Sequence, residues 1–334
     1  MDQKQLIFII GSPRSGSTML QRMLGSHPDI YTHPEPHLLT PLNYLGYYNN
    51  VSAAPYDHIN AAQAVRELVE ELPRGEEDYL DALRAYSSTI YERILEPTGN
   101  RFFLDKTPAY GLVLPFIAKL YPKARYVVLT RHPLAIFHSV AHSFFSGDYQ
   151  EAHGQDSIVP QYVAAIGEFL RERPVELVHT RYEDLVSAPE TELRKVLGAL
   201  DLPYDDACVH YGNQSHITKS FGDPMTVHKH GRPVTSSKTK WAADLATRPE
   251  ALKLAEAVVK QLDPQDLRAW GFAPDCLFAE LVDAAPTRTA TKRFNSYRVK
   301  KHVLQSLRNR AQDDSGLERT VKKIRYYCDL VLKT

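Results

Sequence analysis

The chain has 334 residues, of which 43% are hydrophobic and 24% charged, the balance of a folded protein rather than a disordered one. Its 40 Lys and Arg are matched by 40 Asp and Glu, so bulk charge does not indicate nucleic-acid binding. No apolar run reaches the ~18 residues of a membrane-spanning helix, and no secretory leader is visible. Cys208, Cys276 and Cys328 are far apart in sequence, which excludes a disulfide framework and a cysteine metal site. We therefore expect a globular protein of the reducing cytoplasm.

Charge is unevenly distributed along the chain. Residues 286–334 contain thirteen Lys and Arg but only four Asp and Glu. Because composition changes at Ala285 and Pro286, we expect a main domain over residues 1–285 and a basic linker with a helical extension over 286–334. Three roles fit this extension: docking of an acidic partner, contact with an anionic membrane, or a solvated helical pair that covers the core.

Short apolar segments alternate with helical patterns along the chain. The pattern predicts strands at Leu6–Ile10, Phe102–Leu104, Arg125–Thr130 and Val175–His179. It predicts helices at Ser17–Gly25, 60–72, 76–95, Leu112–Tyr121, Leu134–Phe145 and 190–200. Strands separated by helices indicate a three-layer α/β fold with a central parallel sheet. Ligands of such sheets bind beyond the carboxyl ends of the strands, so functional residues should follow the strands.

The first strand runs into the sequence GSPRSGST at residues 11–18. Gly11 and Gly16 permit a tight turn, and backbone N–H groups at the start of the next helix would converge on an anion. Hydroxyl groups and one guanidinium add donors: Ser12, Arg14, Ser15, Ser17 and Thr18. The loop therefore predicts a site for a phosphate or sulfate group. A Walker A loop would carry Lys at position 17, so Ser17 disfavours an ordinary NTPase or kinase without excluding it.

The segment IIGSPRSGSTMLQRML resembles the 5′-phosphosulfate-binding loop of sulfotransferases that use 3′-phosphoadenosine 5′-phosphosulfate (PAPS). It is closer to the P-R-S-G-[ST]-T version of the bacterial and tyrosylprotein-sulfotransferase-like members than to the P-K-S-G-T version of the cytosolic ones. The resemblance covers residues 5–245 and implies a P-loop-like fold, PAPS as donor, and sulfuryl transfer to a hydroxyl or amine. It also implies which loop residues contact PAPS: Ser12, Arg14, Ser15, Gly16, Ser17 and Thr18.

Four further segments correspond to motifs of this family. Arg131, directly after RYVVLT, and Ser139 in the next helix resemble the 3′-phosphate site, and Tyr182 in HTRYEDLV resembles the residue that packs on adenine. Lys106 in FLDKTP resembles a lysine that contacts the sulfuryl group, where its charge would stabilise the breaking S–O bond. The polar segment 219–241 stands in place of the family's late cofactor loop, although its sequence matches that loop poorly.

A base that takes the acceptor's proton would accelerate transfer by ~10²–10⁴-fold. Candidate bases are frequent in the segment 26–42: His27, His33, Glu35 and His37. Glu35 matches the position of a glutamate in the family members with this type of loop, and the prolines on either side stiffen its backbone. We therefore expect Glu35, Arg14 and Lys106 to be catalytic. His37 is the alternative base, because the cytosolic members use a histidine.

Two histidines lie one helical turn apart after Arg131. The spacing of His138 and His142 can bind a metal ion, but no third ligand is evident in the sequence. The family needs no metal, so we expect none.

The acceptor is poorly specified by the sequence. Aromatic residues are frequent in 37–60 and 144–160, which suits a phenol, a lipid or another apolar alcohol. We expect a small-molecule or carrier-bound acceptor and no nucleic acid. The alternatives are protein tyrosine sulfation, a P-loop nucleotide kinase or phosphotransferase, and a non-catalytic protein that binds PAP, the nucleotide product.

Overall fold

The computed structural model describes residues 1–51, 56–155, 158–213 and 230–283. The basic segment 286–334, with its predicted helices and boundary, lies outside the described residues. The chain divides into two compact units. Within the described residues, the first comprises Met1–Arg131, Pro160–Thr235 and Leu262–Pro274, and the second comprises His132–Val159, Ser236–Gln261 and residues 275–283.

A five-stranded parallel sheet forms the centre of the first unit. Its strands are β1 (Leu6–Ile10), β2 (Ile30–Pro34), β3 (Phe102–Lys106), β4 (Arg125–Thr130) and β5 (Leu177–Arg181). Their order across the sheet is β2-β3-β1-β4-β5. The predicted parallel sheet is confirmed, with β3 longer at its carboxyl end and β5 displaced toward the C terminus. The prediction omits β2.

The thirteen helices of the described chain surround this sheet or form the second unit. They are α1 (Ser17–Leu24), α2 (His58–Glu70), α3 (Glu76–Leu95), α4 (Leu114–Leu120), α5 (Pro133–Phe144), α6 (Tyr149–Gln155), α7 (Ile158–Glu172), α8 (Tyr182–Ser187), α9 (Pro189–Ala199), α10 (Ser236–Ala246), α11 (Pro249–Val259), α12 (Pro264–Trp270) and α13 (Ala279–Asp283). The prediction of a loop over 219–241 is wrong from Ser236 onward, because α10 begins there. Residues 219–229 of this segment lie outside the described residues.

Both faces of the sheet are covered, as the continuous apolar sequence of β1 requires. Ile7 and Ile9 point to one face, where the core includes residues of α1, α8 and α9: Met19, Leu20, Met23, Leu185 and Leu193. Phe8 points to the other face, and its ring lies 5.4–6.2 Å from the rings of Tyr110, Tyr121 and Tyr126. Helices on both faces give the predicted three-layer α/β fold.

The second unit is helical and has its own aromatic contacts. His132 stacks on Trp241 with ring centroids 4.4 Å apart, and Phe137 packs on Tyr149 at 5.6 Å. In neither unit does the described chain contain a helix that is both long enough and apolar enough to cross a membrane.

Candidate active site

The carboxyl edge of the sheet in the first unit collects most of the predicted site residues. The loop 11–18 follows β1, Glu35 follows β2, and Lys106 is the last residue of β3. Arg131 follows β4 and Tyr182 follows β5. Because the strands are parallel, these positions share one edge, where open α/β sheets bind their ligands.

The loop after β1 depends on a glycine at its junction with α1. Gly16 has φ +93°, and a Cβ there would lie 2.5 Å from Cδ2 of Tyr182. The Gly16 carbonyl accepts hydrogen bonds from the N–H groups of Met19 and Leu20, which begin the helix. Arg14 also has a positive φ, 65°, which is uncommon for a residue with a side chain. The loop therefore contains two left-handed positions, of which only the one at Gly16 is occupied by glycine.

Two hydroxyl groups of this loop are buried without an observed partner. The side-chain oxygens of Ser12 and Ser15 are inaccessible to solvent and meet no hydrogen-bond partner within the described part of the chain. Leaving a buried polar group unsatisfied costs ~1–3 kcal/mol, so such groups call for an explanation. A phosphate or sulfate oxygen at the amino end of α1 would accept hydrogen bonds from these two hydroxyls. These residues therefore fit an anionic group.

Lys106 brings the loop and the candidate base together. Its side chain is buried, and its Nζ donates to Oε1 of Glu35 at 2.5 Å and to Oγ1 of Thr18 at 3.2 Å. Burial of a charge is costly unless the charge is paired, and the Glu35 carboxylate provides the opposite charge. The predicted residues Glu35, Lys106 and Thr18 therefore form one contiguous polar group.

The segment after β2 carries Glu35 in an uncommon backbone conformation. Glu35 has φ 28° and His37 has φ 52°, on either side of Pro36. A strained residue persists only where the surrounding structure holds it in place, and such residues are frequent at functional sites. Burial raises the pKa of Glu35, but a hydrogen bond with His37 and the charge of Lys106 outweigh it, so this pKa lies below its ordinary value. Glu35 is therefore a carboxylate at neutral pH.

The buried carboxyl group of Asp105 is connected by hydrogen bonds to the segment that carries Glu35. Asp105 accepts hydrogen bonds from the hydroxyl groups of Tyr91 at 2.7 Å, Tyr110 at 2.9 Å and Thr107 at 3.0 Å. The Tyr110 hydroxyl in turn accepts the backbone N–H of Leu39 at 3.2 Å. The network thus ties the end of β3 to the chain just after Glu35. Sequence reasoning missed it, although an aspartate in the apolar strand FFLDK is a signal for a buried polar role.

Arg131 also approaches the loop. Its Nη1 donates to the carbonyl of Arg14 at 2.9 Å, and its guanidinium lies 4.3 Å from the ring centroid of Tyr182. Trp270 Nε1 donates to the Arg131 carbonyl at 2.8 Å, a support that the sequence did not suggest. The Tyr182 ring is buried beneath Gly16, and its contact with adenine stays a prediction. Ser139 lies on α5 in the second unit, so its pairing with Arg131 also stays a prediction.

The other histidine candidates have different surroundings. His27 is buried, with Nδ1 accepting the N–H of Asp29 and Nε2 lying 3.1 Å from the carbonyl of Pro203. These contacts assign it to the turn after α1. His33 lies within β2, and its Nδ1 is 3.0 Å from the Pro34 carbonyl. Only His37 approaches the Glu35 carboxylate among the described histidines, with Nε2 3.8 Å from Oε2.

Two of the aromatic residues expected around an acceptor take part in ordinary packing. Tyr47 packs on Tyr79, and Tyr48 packs on Phe116, each pair with ring centroids 5.0 Å apart. Tyr44 and Tyr56 are exposed.

Residues 6–206 match a family model described as "Sulfotransferase family". The chain belongs to the sulfotransferase family. This assignment confirms the resemblance of the loop 11–18 and covers the region that contains Glu35, Lys106 and Arg131. It also favours a sulfotransferase over the alternative P-loop kinase.

Several proteins with known names are similar to this chain. It is 29% identical over 268 residues to the nodulation protein NoeE of Sinorhizobium fredii, covering 72% of this chain and 60% of NoeE. It is 24% identical over 286 residues to the protein-tyrosine sulfotransferase of Drosophila melanogaster, covering 84% of this chain and 50% of that protein. The chain thus spans less than two thirds of either relative. The sulfotransferase domain of the Synechococcus PCC 7002 olefin synthase is 25% identical with a TM-score of 0.50, over 75% of this chain and 93% of that domain.

Proposed function

We propose that this protein transfers the sulfuryl group of PAPS to a hydroxyl or amine group, with Glu35 as the base. The observation that carries the proposal is the contact of Lys106 with both Glu35 and Thr18. It joins an anion-binding loop, a buried cation and an ionised carboxylate at one edge of the sheet. A donor site, a cation that stabilises developing charge and a base next to one another suit sulfuryl transfer.

The donor would be held by the loop and by residues after β4. The hydroxyls of Ser12 and Ser15 and the backbone N–H groups at the start of α1 would bind the 5′-phosphosulfate. Ser17 and Thr18 would add hydroxyl donors. Arg131 and Ser139 would bind the 3′-phosphate, the group that distinguishes PAPS from ADP and ATP. Tyr182 would contact the adenine.

The reaction moves one proton and one sulfuryl group. The acceptor oxygen forms a bond to sulfur as the bond between sulfur and the 5′-phosphate oxygen breaks, leaving PAP. Glu35 takes the proton of the acceptor hydroxyl. Lys106 stabilises the negative charge on the sulfuryl oxygens, and Arg14 stabilises the departing phosphate. The charge of Lys106 helps to keep Glu35 deprotonated before the donor binds.

A small molecule or a carrier-bound intermediate is the acceptor that we propose. A similar structure, the sulfotransferase domain of an olefin synthase, supports an acceptor from a biosynthetic assembly. Relatives named protein-tyrosine sulfotransferases favour a second class, the phenolic hydroxyl of a protein tyrosine. Both classes present a hydroxyl group to the base.

Transfer of ³⁵S from labelled PAPS tests this function. Wild-type protein is incubated with phenols, aliphatic alcohols, amines and tyrosine peptides, and labelled products are separated from PAPS. We expect Glu35→Gln to lower turnover on the best acceptor by ~10²–10⁴-fold while PAP affinity is unchanged. The matched control is Glu76→Gln, which neutralises the glutamate of another Lys–Glu pair, 2.8 Å from Lys119.

Two results would contradict the assignment. Wild-type turnover in Glu35→Gln would exclude Glu35 as the base. A protein that binds PAP but transfers sulfate to none of these acceptor classes would support the non-catalytic alternative.

A further inference from the structure

The second unit contains a cluster of metal-ligating side chains that the proposed function does not use. His138 and His142 lie one turn apart on α5, and Asp244 lies on α10. Their ligand atoms lie within 4.8 Å of one another. The third ligand that the sequence did not reveal is thus Asp244, about one hundred residues further along the chain.

The distances agree with coordination of a single ion. Oδ2 of Asp244 is 3.4 Å from Nε2 of His138 and 3.2 Å from Nε2 of His142. Zinc binds nitrogen and oxygen ligands at ~2.0–2.1 Å with tetrahedral geometry, which separates neighbouring ligand atoms by ~3.3 Å. Both imidazoles direct Nε2 toward the same carboxylate oxygen. The three ligand atoms therefore have the spacing that a tetrahedral ion requires.

The surroundings of His138 favour a role as a metal ligand over a role as the ion-pair partner of Asp244. His138 is 8% exposed, and its Nε2 makes no hydrogen bond of good geometry within the described residues. A buried imidazole nitrogen without such a partner is available as a metal ligand.

The carboxylate has the secondary contacts typical of metal sites. The Tyr149 hydroxyl donates to Oδ2 of Asp244 at 2.8 Å, and Nη2 of Arg248 lies 3.1 Å from Oδ1. Such contacts orient a ligand. Oδ2, the oxygen nearest both imidazoles, has a second lone pair that can bind the ion. Arg248 also places a positive charge nearby, which would weaken but not prevent binding of a divalent ion. His142 is exposed, so an ion can enter from solvent.

We propose that His138, His142 and Asp244 bind a divalent transition-metal ion of the zinc type. Imidazole and carboxylate ligands suit zinc, and three protein ligands leave a fourth position for water or for Tyr149. The ion would cross-link α5 to α10 within the second unit. Its effect would be to stabilise the helix that carries Ser139.

Metal content measured on untagged protein tests the site. Wild-type protein is dialysed against Zn²⁺ and then against metal-free buffer, and bound zinc is measured by mass spectrometry. We expect one ion per chain, with affinity at least ~10-fold weaker in His142→Ala and Asp244→Asn. The matched control is His210→Ala, because His210 is a half-exposed histidine 3.5 Å from Asp206 with no second histidine in the pair. This control should bind zinc like wild type.

A spectroscopic measurement distinguishes this site from the other histidines. Co²⁺ in place of zinc should give the visible absorption bands of tetrahedral coordination in wild type and His210→Ala but not in the two site variants. Circular dichroism checks that all variants are folded, and His142→Gln replaces His142→Ala if the alanine variant is not. Wild-type protein that retains no zinc, or equal binding by wild type, His142→Ala and Asp244→Asn, would overturn the proposal. Neither result depends on sulfuryl transfer.

Discussion

Glu35 and His37 are rival candidates for one role, and their surroundings separate them. The Glu35 side chain is 14% exposed and contacts Lys106, whereas the His37 side chain is 42% exposed and lies 3.8 Å from Oε2 of Glu35. A base works best where the reacting atoms are positioned, and Lys106 links Glu35 to the anion-binding loop. We therefore propose that His37 tunes Glu35 and that Glu35 transfers the proton.

Replacing His37 should move a pH profile without abolishing activity. The pKa of Glu35 lies below its ordinary value partly because of the hydrogen bond with His37. His37→Ala removes that effect, so the pKa of Glu35 rises and the acid limb of kcat/KM moves to higher pH. Turnover at neutral pH should change little, since Glu35 is still ionised there. The profile is measured with the best acceptor found in the labelled-PAPS assay.

The opposite assignment makes a different prediction for the same variant. If His37 were the base, His37→Ala would lower kcat at neutral pH by ~10²–10⁴-fold, and Glu35→Gln would retain most activity.

At the scale of elements, the junction between β1 and α1 needs glycine for two reasons. A side chain at Gly16 would meet the Tyr182 ring, and φ +93° is unfavourable for residues with a Cβ. We expect Gly16→Ala to weaken PAP binding by at least ~10-fold, because the loop can no longer present its N–H groups and hydroxyls together. Calorimetry with PAP measures this loss.

A second glycine provides the control for this prediction. Gly198 lies in α9 with open space around it, so Gly198→Ala should leave PAP affinity unchanged and raise the free energy of unfolding by up to ~1 kcal/mol. Unaltered PAP binding by Gly16→Ala would mean that the loop does not hold the nucleotide.

The Asp105 network should determine how firmly the Glu35 segment is held. Tyr110→Phe removes the hydroxyl that joins Asp105 to the N–H of Leu39. We expect a loss of ~1–3 kcal/mol in the free energy of unfolding and a fall in kcat with little change in the KM for PAPS. Denaturant melts and initial rates measure the two effects.

Another buried tyrosine separates the structural effect from the catalytic one. The Tyr126 hydroxyl is also buried but donates only to the carbonyls of Ile117 and Tyr121. Tyr126→Phe should therefore destabilise the protein without lowering kcat. Equal kcat values for the two variants would contradict a positioning role for Asp105.

At the scale of the whole molecule, the apolar strands were the easiest part to predict. The central strands β1 and β4 are buried on both faces and read as continuous apolar runs. β2 was missed because it lies at an edge of the sheet and its residues IYTHP are mostly half-buried. The sequence predicts a loop at residues 236–241, where α10 begins, because SSKTKW is polar.

The sequence predicts those residues of the site that come directly after strands. The topology brings the ends of β1, β2 and β3 together, so Thr18, Glu35 and Lys106 meet as the motifs suggested. The supports of these residues could not be found in the same way. The Tyr110 hydroxyl accepts the N–H of Leu39, and Trp270 donates to the backbone carbonyl of Arg131. Contacts with backbone groups leave no motif in the sequence.

Calorimetric titration with PAP and with ADP tests most directly whether this molecule is built around a PAPS site, and it requires no knowledge of the acceptor. ADP lacks the 3′-phosphate that Arg131 would bind. We expect wild-type protein to bind PAP tightly and ADP weakly, and Arg131→Ala to lose ~1.5–3 kcal/mol of PAP binding, about 10- to 150-fold. Equal binding of the two nucleotides, or ADP binding that requires Mg²⁺, would contradict the account and favour a P-loop phosphotransferase.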